Sequence, residues 1–301
     1  MTLDLDSIRQ TGNLELLARQ LVEGFITGLH KSPYHGFSVE FAEHQLYNSG
    51  DSTRHIDWKV FARTDRLYSK RYEEETNLRC QLLIDNSSSM YYPAENNGKI
   101  TFSILCAASL AYLLQRQRDA VGLTVFSDSV EMMSEVKSTP THLQKLLGNM
   151  QQLLRQEPQG RETNVAQVIH RIAEKIHKRS LVILFSDMFS HSGNMDEMFA
   201  ALQHLRHNKH EALVFHVTHL ATELDFDFED RPYRFIDMES KAEIKLNPGQ
   251  IREQYRKQMQ EFYTDLKLRC MQLKIDFIEA NIEQDYQKVL TSYLAKRGKM
   301  R

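Results

Sequence analysis

The chain has 301 residues, 41% of them hydrophobic and 26% charged. That is the composition of an ordinary globular protein, long enough for one large core or two smaller ones. A formal net charge of -2 supplies no basic field for a polyanion, which argues against nucleic acid as the main partner.

Leu14, Leu17, Leu21, Phe25 and Leu29 recur at helical spacing and predict an amphipathic helix over 13–30. The polar stretch from Ser32 to Thr53 reads as irregular, and Leu67 to Tyr72 as a strand. From Arg79 onward strands and helices alternate. Strands are expected at Cys80–Asp85, Val121–Phe126, Leu181–Asp187, Ala212–Thr218 and Ile275–Glu279. Helices are expected at Ile100–Arg118, Pro140–Arg155, Val165–His177, Met195–His207 and Asp285–Arg297. Glu223 to Leu246 has strand character, and Asn247-Pro248-Gly249 punctuates before a polar helix, Gln250 to Met271. The fold class is therefore α/β: a doubly wound, mostly parallel sheet with an N-terminal extension and an insertion before the last strand. Residues 1–78 read as an N-terminal helix and segment packing on a main domain of 79–301, with an excursion at about 221–273.

Cys80, Cys106 and Cys270 are widely spaced, and the first two lie in apolar segments, as expected of reduced, buried thiols. The opening residues show no basic segment followed by an apolar core. The longest apolar stretch, Ile104 to Leu114, is too short to span a bilayer. The expectation is a cytoplasmic protein with no membrane span.

Leu82-Leu83-Ile84-Asp85-Asn86-Ser87-Ser88-Ser89 is an apolar run ending in Asp-x-Ser-x-Ser. Such a run reads as a buried strand, which would set one carboxylate and two hydroxyls at its carboxyl end, where open α/β sheets place ligands. These are oxygen donors suited to a hard divalent cation. The motif alone arises by chance in roughly one chain in ten of this length, so other strand ends must contribute. Thr163 precedes a predicted helix, where it serves either as a ligand or as an N-cap. Asp187 ends a second apolar strand, where an Asp is often only turn chemistry.

Asp85, Ser87, Ser89, Thr163 and Asp187 together resemble the metal-ion-dependent adhesion site of von Willebrand factor A domains, in the same order and on the same element ends. The resemblance implies Mg²⁺, Mn²⁺ or Ca²⁺ at these five residues. Met188 stands where that family often has Gly, and Glu162 replaces a small residue. Mg²⁺ seeks six oxygens and keeps some water. Neutral hydroxyls leave it Lewis-acidic, ready to take an acidic side chain of a partner.

The segment from Gly50-Asp51 through Arg54-His55-Ile56-Asp57-Trp58 to Ala62-Arg63-Thr64, then Tyr72-Glu73-Glu74-Glu75, resembles the hallmark of the bacterial domain-of-unknown-function family fifty-eight. So do Glu223-Leu224-Asp225-Phe226 and Phe235-Ile236-Asp237-Met238-Glu239. Physically, Asp51, Arg54, Asp57 and Arg63 offer an ion-pair network around Trp58, with a partner-docking surface as the alternative reading. The resemblance implies a non-enzymatic accessory or adaptor of a MoxR-type AAA+ ATPase or its client. Two rivals remain: a metal-dependent hydrolase, for which no clear general base is evident, and a scaffold with a vestigial metal site. Gly98-Lys99 does not complete a phosphate-binding loop. His204, His207 and His210 read as exposed polar residues rather than zinc ligands.

Overall fold

In a computed structural model the described residues are 14–28, 41–47, 56–72, 78–94, 98–156, 164–188 and 195–291. The chain forms two compact units, one of residues up to Gly28 together with those from Leu78 on, the other of Leu29–Asn77.

In the larger unit, helix α1 (Leu14–Gly28) is followed, after the smaller unit, by β3 (Arg79–Asp85), α3 (Gly98–Arg116), β4 (Ala120–Phe126) and β5 (Val130–Met133). Next come α4 (Pro140–Leu153), α5 (Val165–Lys175), β6 (Leu181–Ser186), α6 (Met195–His207) and β7 (Glu211–Thr218). A hairpin of β8 (Tyr233–Ile236) and β9 (Glu243–Leu246), a long helix α7 (Pro248–Gln272) and β10 (Asp276–Asn281) follow, and the described chain is helical again over 286–291. The main sheet runs β10-β7-β6-β3-β4-β5. Its neighbours are parallel except β5, which lies antiparallel to β4. The expected α/β, doubly wound sheet is what the chain forms.

The central strands are apolar on both faces because both are covered, as parallel sheets require. Leu82 and Ile84 of β3, Ile183 and Phe185 of β6 and Phe215 of β7 face a core shared with α1, α3 and α4. Leu83, Val182, Leu184 and Val214 face the opposite core with α5, α6 and α7. Phe185 stacks on Phe215 with ring centroids 4.7 Å apart. Each fully buried Leu or Phe side chain contributes about 1.5–3 kcal/mol. Helix α3 is long and apolar enough by length and composition to cross a membrane, and it is mostly buried here. Cys80, Cys106 and Cys270 are free and buried. Helix starts follow capping chemistry: Thr139 accepts from His142 N before Pro140, and Asn247 accepts from Gly249 N before Pro248.

In the smaller unit, β1 (Phe41–Leu46) pairs antiparallel with β2 (Tyr68–Tyr72). Between them, α2 (Trp58–Thr64) is capped by Asp57, whose Oδ1 accepts from Lys59 N (3.0 Å) and Val60 N (3.3 Å).

Several expectations change. The stretch read as irregular contains β1, whose Phe-Ala-Glu-His-Gln-Leu lacks strict alternation. The short edge strand β5 was not anticipated. Leu224 to Phe228 is not a strand; a wide helical turn, Leu220–Leu224, opens that segment. Trp58 is exposed, with Phe61 edge-on at 6.1 Å, and does not anchor a core. Asp57 serves as a helix cap, while Asp51 and Arg54 lie outside the described residues. His210 is wholly buried, and His204 bonds to His170 (2.9 Å).

His210 Nδ1 accepts from Ser180 N (3.3 Å), and burial holds its pKa below the usual histidine value. A lowered folded pKa means stability that is present above about pH 6.5 and lost as pH falls through the folded value. His210→Asn should flatten the acid limb of a melting-temperature profile below about pH 6.5; an unchanged acid limb would disprove this role.

Candidate functional site

The sheet reverses its winding between β3 and β6, the switch point at which doubly wound sheets place ligands. Asp85 closes β3, and Ser186 closes β6 with Asp187 directly after it. Side chains alternate along these strands, so Asp85 and Ser186 share one face. Ser186 Oγ donates to Asp85 Oδ2 (2.6 Å) and accepts from Met188 N (3.0 Å). One hydroxyl thus ties the two strand ends together.

The other oxygen, Asp85 Oδ1, accepts from Ser87 N (3.0 Å), an Asx-type turn that bends the chain off the strand. A short 3-10 turn, Ser88–Tyr91, follows and brings Ser87 Oγ within 3.1 Å of Ser89 Oγ. Asn86 holds this loop to β4 and its neighbours: its N donates to Phe126 O, its Nδ2 to Glu131, and its Oδ1 accepts from Tyr91 Oη. Asp85, Ser87 and Asp187 are fully buried, whereas Ser89 is partly open to solvent.

The structure thus brings Asp85, Ser87, Ser89 and Asp187 to one rim. Thr163 lies outside the described residues. Its neighbour Asn164 caps α5 by accepting from Gln167 N (3.1 Å) and donates its own N to Ser127 O, just past β4. Asn164 therefore takes the N-cap role considered for Thr163. Met188 has φ +57°, in the left-handed region that favours glycine. The departure at this position is accommodated with strain of about 1–2 kcal/mol.

Burial, and secondly the charge on Asp187, push the Asp85 carboxyl up to about 7. Two acidic groups that repel in a dry site are what a cation relieves. Every donor is oxygen and the hydroxyls are neutral, which fits a hard divalent ion. Among the described residues no cluster of three or more His, Cys, Asp or Glu side chains is placed to hold a metal, so such a centre would depend on the serines.

Sequence reasoning did not assign Lys99, Glu223, Gly98 or His216 to this site. Lys99, in the first turn of α3, is buried, and its Nζ lies 2.8 Å from Asp187 Oδ2. The same ammonium pairs with Glu223. Burial alone would lower the Lys99 pKa, yet Asp187 and Glu223 outweigh it and keep the group charged. Gly98 lets the chain enter α3 this closely: a Cβ there would meet Pro93 Cδ at 2.5 Å and Ile282 Cδ1 at 2.7 Å. His216 of β7, held down at about 4 by burial, is neutral and donates from Nε2 to Asp187 O (2.8 Å). The one available signal was a lysine opening an otherwise apolar helix.

The match of the "Protein of unknown function DUF58" family spans residues 43–264, well over half of the chain. The chain belongs to the DUF58 family. It is similar to the uncharacterized protein Rv1480 of Mycobacterium tuberculosis and to Mb1516 of Mycobacterium bovis. Each is 24% identical over 174 residues, 58% of this chain and 55% of the relative. The chain thus spans about half the length of these relatives. Among solved structures it is similar to BatB from Bacteroides thetaiotaomicron (TM-score 0.44, 12% identity, 74% of this chain and 100% of that one). An aerotolerance-related membrane protein from Bacteroides fragilis is comparable (TM-score 0.47, 12% identity, 75% and 100%). Likeness at this level carries no functional weight, and the α/β class of this DUF58 protein rests on its own strand order.

Ser186→Ala removes a donor from buried Asp85 and an acceptor from Met188 N. It should cost about 1.5–3 kcal/mol in urea denaturation; a loss below about 0.5 kcal/mol would show that the strand ends are held otherwise.

Proposed function

We propose that this DUF58 protein is a non-enzymatic interaction module that recognises an acidic side chain of a protein partner through a divalent cation. Asp85, Ser87, Ser89, Thr163 and Asp187 would hold Mg²⁺ or Mn²⁺, directly or through water. The observation that carries this reading is the pair of serine hydroxyls 3.1 Å apart beside two buried carboxylates at the switch point. Three hydroxyls dilute no charge, so the ion would keep enough Lewis acidity to draw a carboxylate in place of water. The half-buried Ser89 marks the side on which a partner could approach. A MoxR-type AAA+ ATPase or its client, in the cytoplasm, is the partner class that the family resemblance favours.

Calorimetric titration of chelator-stripped protein with Mg²⁺ and Mn²⁺ tests the coordination. Wild type should bind at millimolar metal or below, and Asp85→Ala should lose binding while its circular dichroism is unchanged. Capture of a MoxR-type ATPase should then vanish with chelator and with Asp85→Ala. Capture indifferent to both would favour a vestigial site on a scaffold. Turnover of phosphoester or peptide substrates with Mn²⁺, lost in Asp85→Ala, would favour the hydrolase.

A further inference from the structure

Lys99 sits where helix physics disfavours it. The amino end of a helix carries partial positive charge, so a cation in the first turn gains nothing from the dipole. An ammonium only 1% exposed also forfeits its hydration, a loss that close acceptors must offset. Those acceptors come from two distant places: Asp187 after β6, at 2.8 Å, and Glu223 in the wide turn after β7.

Glu223 is itself anchored. Its second oxygen accepts from His219 N (2.9 Å), and Tyr255 Oη of α7 donates to its backbone carbonyl (2.9 Å). Lys99 therefore joins the rim holding Asp85 and the two serines to the 219–224 turn, and through it to α7. Any divalent ion using Asp187 meets a carboxylate already engaged by an ammonium. Two cations on one buried carboxylate repel, and the movable one is the lysine, which has a second acceptor in reach.

We propose that Lys99 is a built-in competitor for the metal. It holds Asp187 when no divalent ion is bound and shifts its hydrogen bonding toward Glu223 when one enters. This rests on the divalent-cation reading of the site. It gives that site a weakened affinity and a mechanical link from metal to the 219–224 turn. Glu223, already paired with the ammonium, acts as the positioning residue that keeps it when Asp187 is taken by the metal.

The test is Mn²⁺ titration of chelator-stripped wild type, Lys99→Met and Glu223→Gln, with hydrogen–deuterium exchange of residues 219–224 with and without Mn²⁺. Lys99→Met should bind Mn²⁺ at least tenfold more tightly than wild type. Glu223→Gln should bind several-fold more weakly, because the ammonium then keeps Asp187 as its one anionic partner. Mn²⁺ should change exchange in the 219–224 turn of wild type and leave it unchanged in Lys99→Met. Folded Lys99→Met with wild-type or weaker affinity overturns the proposal while leaving the metal site standing. A 219–224 turn insensitive to Mn²⁺ in wild type overturns it as well. Absence of Mn²⁺ binding in wild type and in Lys99→Met overturns it together with the reading on which it rests. If Lys99→Met does not fold, Glu223→Gln decides: affinity equal to or above wild type is refutation.

Discussion

A carboxylate at the end of an apolar strand, buried between two helical layers, must be fully hydrogen-bonded or paired, because a bare charge there costs several kcal/mol. The larger unit is arranged around that constraint. Asp85 receives Ser87 N on one oxygen and Ser186 Oγ on the other, and Asp187 receives Lys99. These bonds join β3 to β6, and the rim to α3, at the point where the sheet changes winding direction. Loop shape, helix entry and the placement of the serine hydroxyls follow from satisfying the two acids.

The same constraint explains residues that look out of place alone. Gly98 is required because Pro93 and Ile282 press against the start of α3, and that close approach delivers Lys99 into the interior. Met188 takes a left-handed backbone while its N–H binds Ser186 Oγ, so local strain is exchanged for a satisfied hydroxyl. His216 stays neutral and fixes the Asp187 carbonyl. Such strain and buried charge gather where a fold trades stability for a site.

Much of the architecture was legible in the chain. Runs such as Leu-Val-Ile-Leu-Phe-Ser end in polar residues because both sheet faces are covered along the strand and the rim is where turns begin. The helix start at Pro140 was read directly, and Asn247-Pro248-Gly249 marked the entry to the long helix, which begins at Pro248 rather than Gln250. Short or edge elements were not legible: β1 and β5 lack a clear period, since a four- to six-residue edge strand has little burial to pattern it. Trp58, read as the centre of an ion-pair network, lies exposed on a seven-residue helix, and nothing local in the sequence marks that exposure.

By itself the sequence determined the α/β class, the succession of the main strands along the chain and which polar residues fall at strand ends. Periodicity and turn chemistry are local and survive in one dimension. Only the tertiary structure decided that β6 lies beside β3, so that Ser186 meets Asp85 across 101 positions of chain. It alone decided that Lys99 spans 88 positions to Asp187 and 124 to Glu223. Charge pairing in a dry interior depends on distance in space, and no spacing along the chain encodes it.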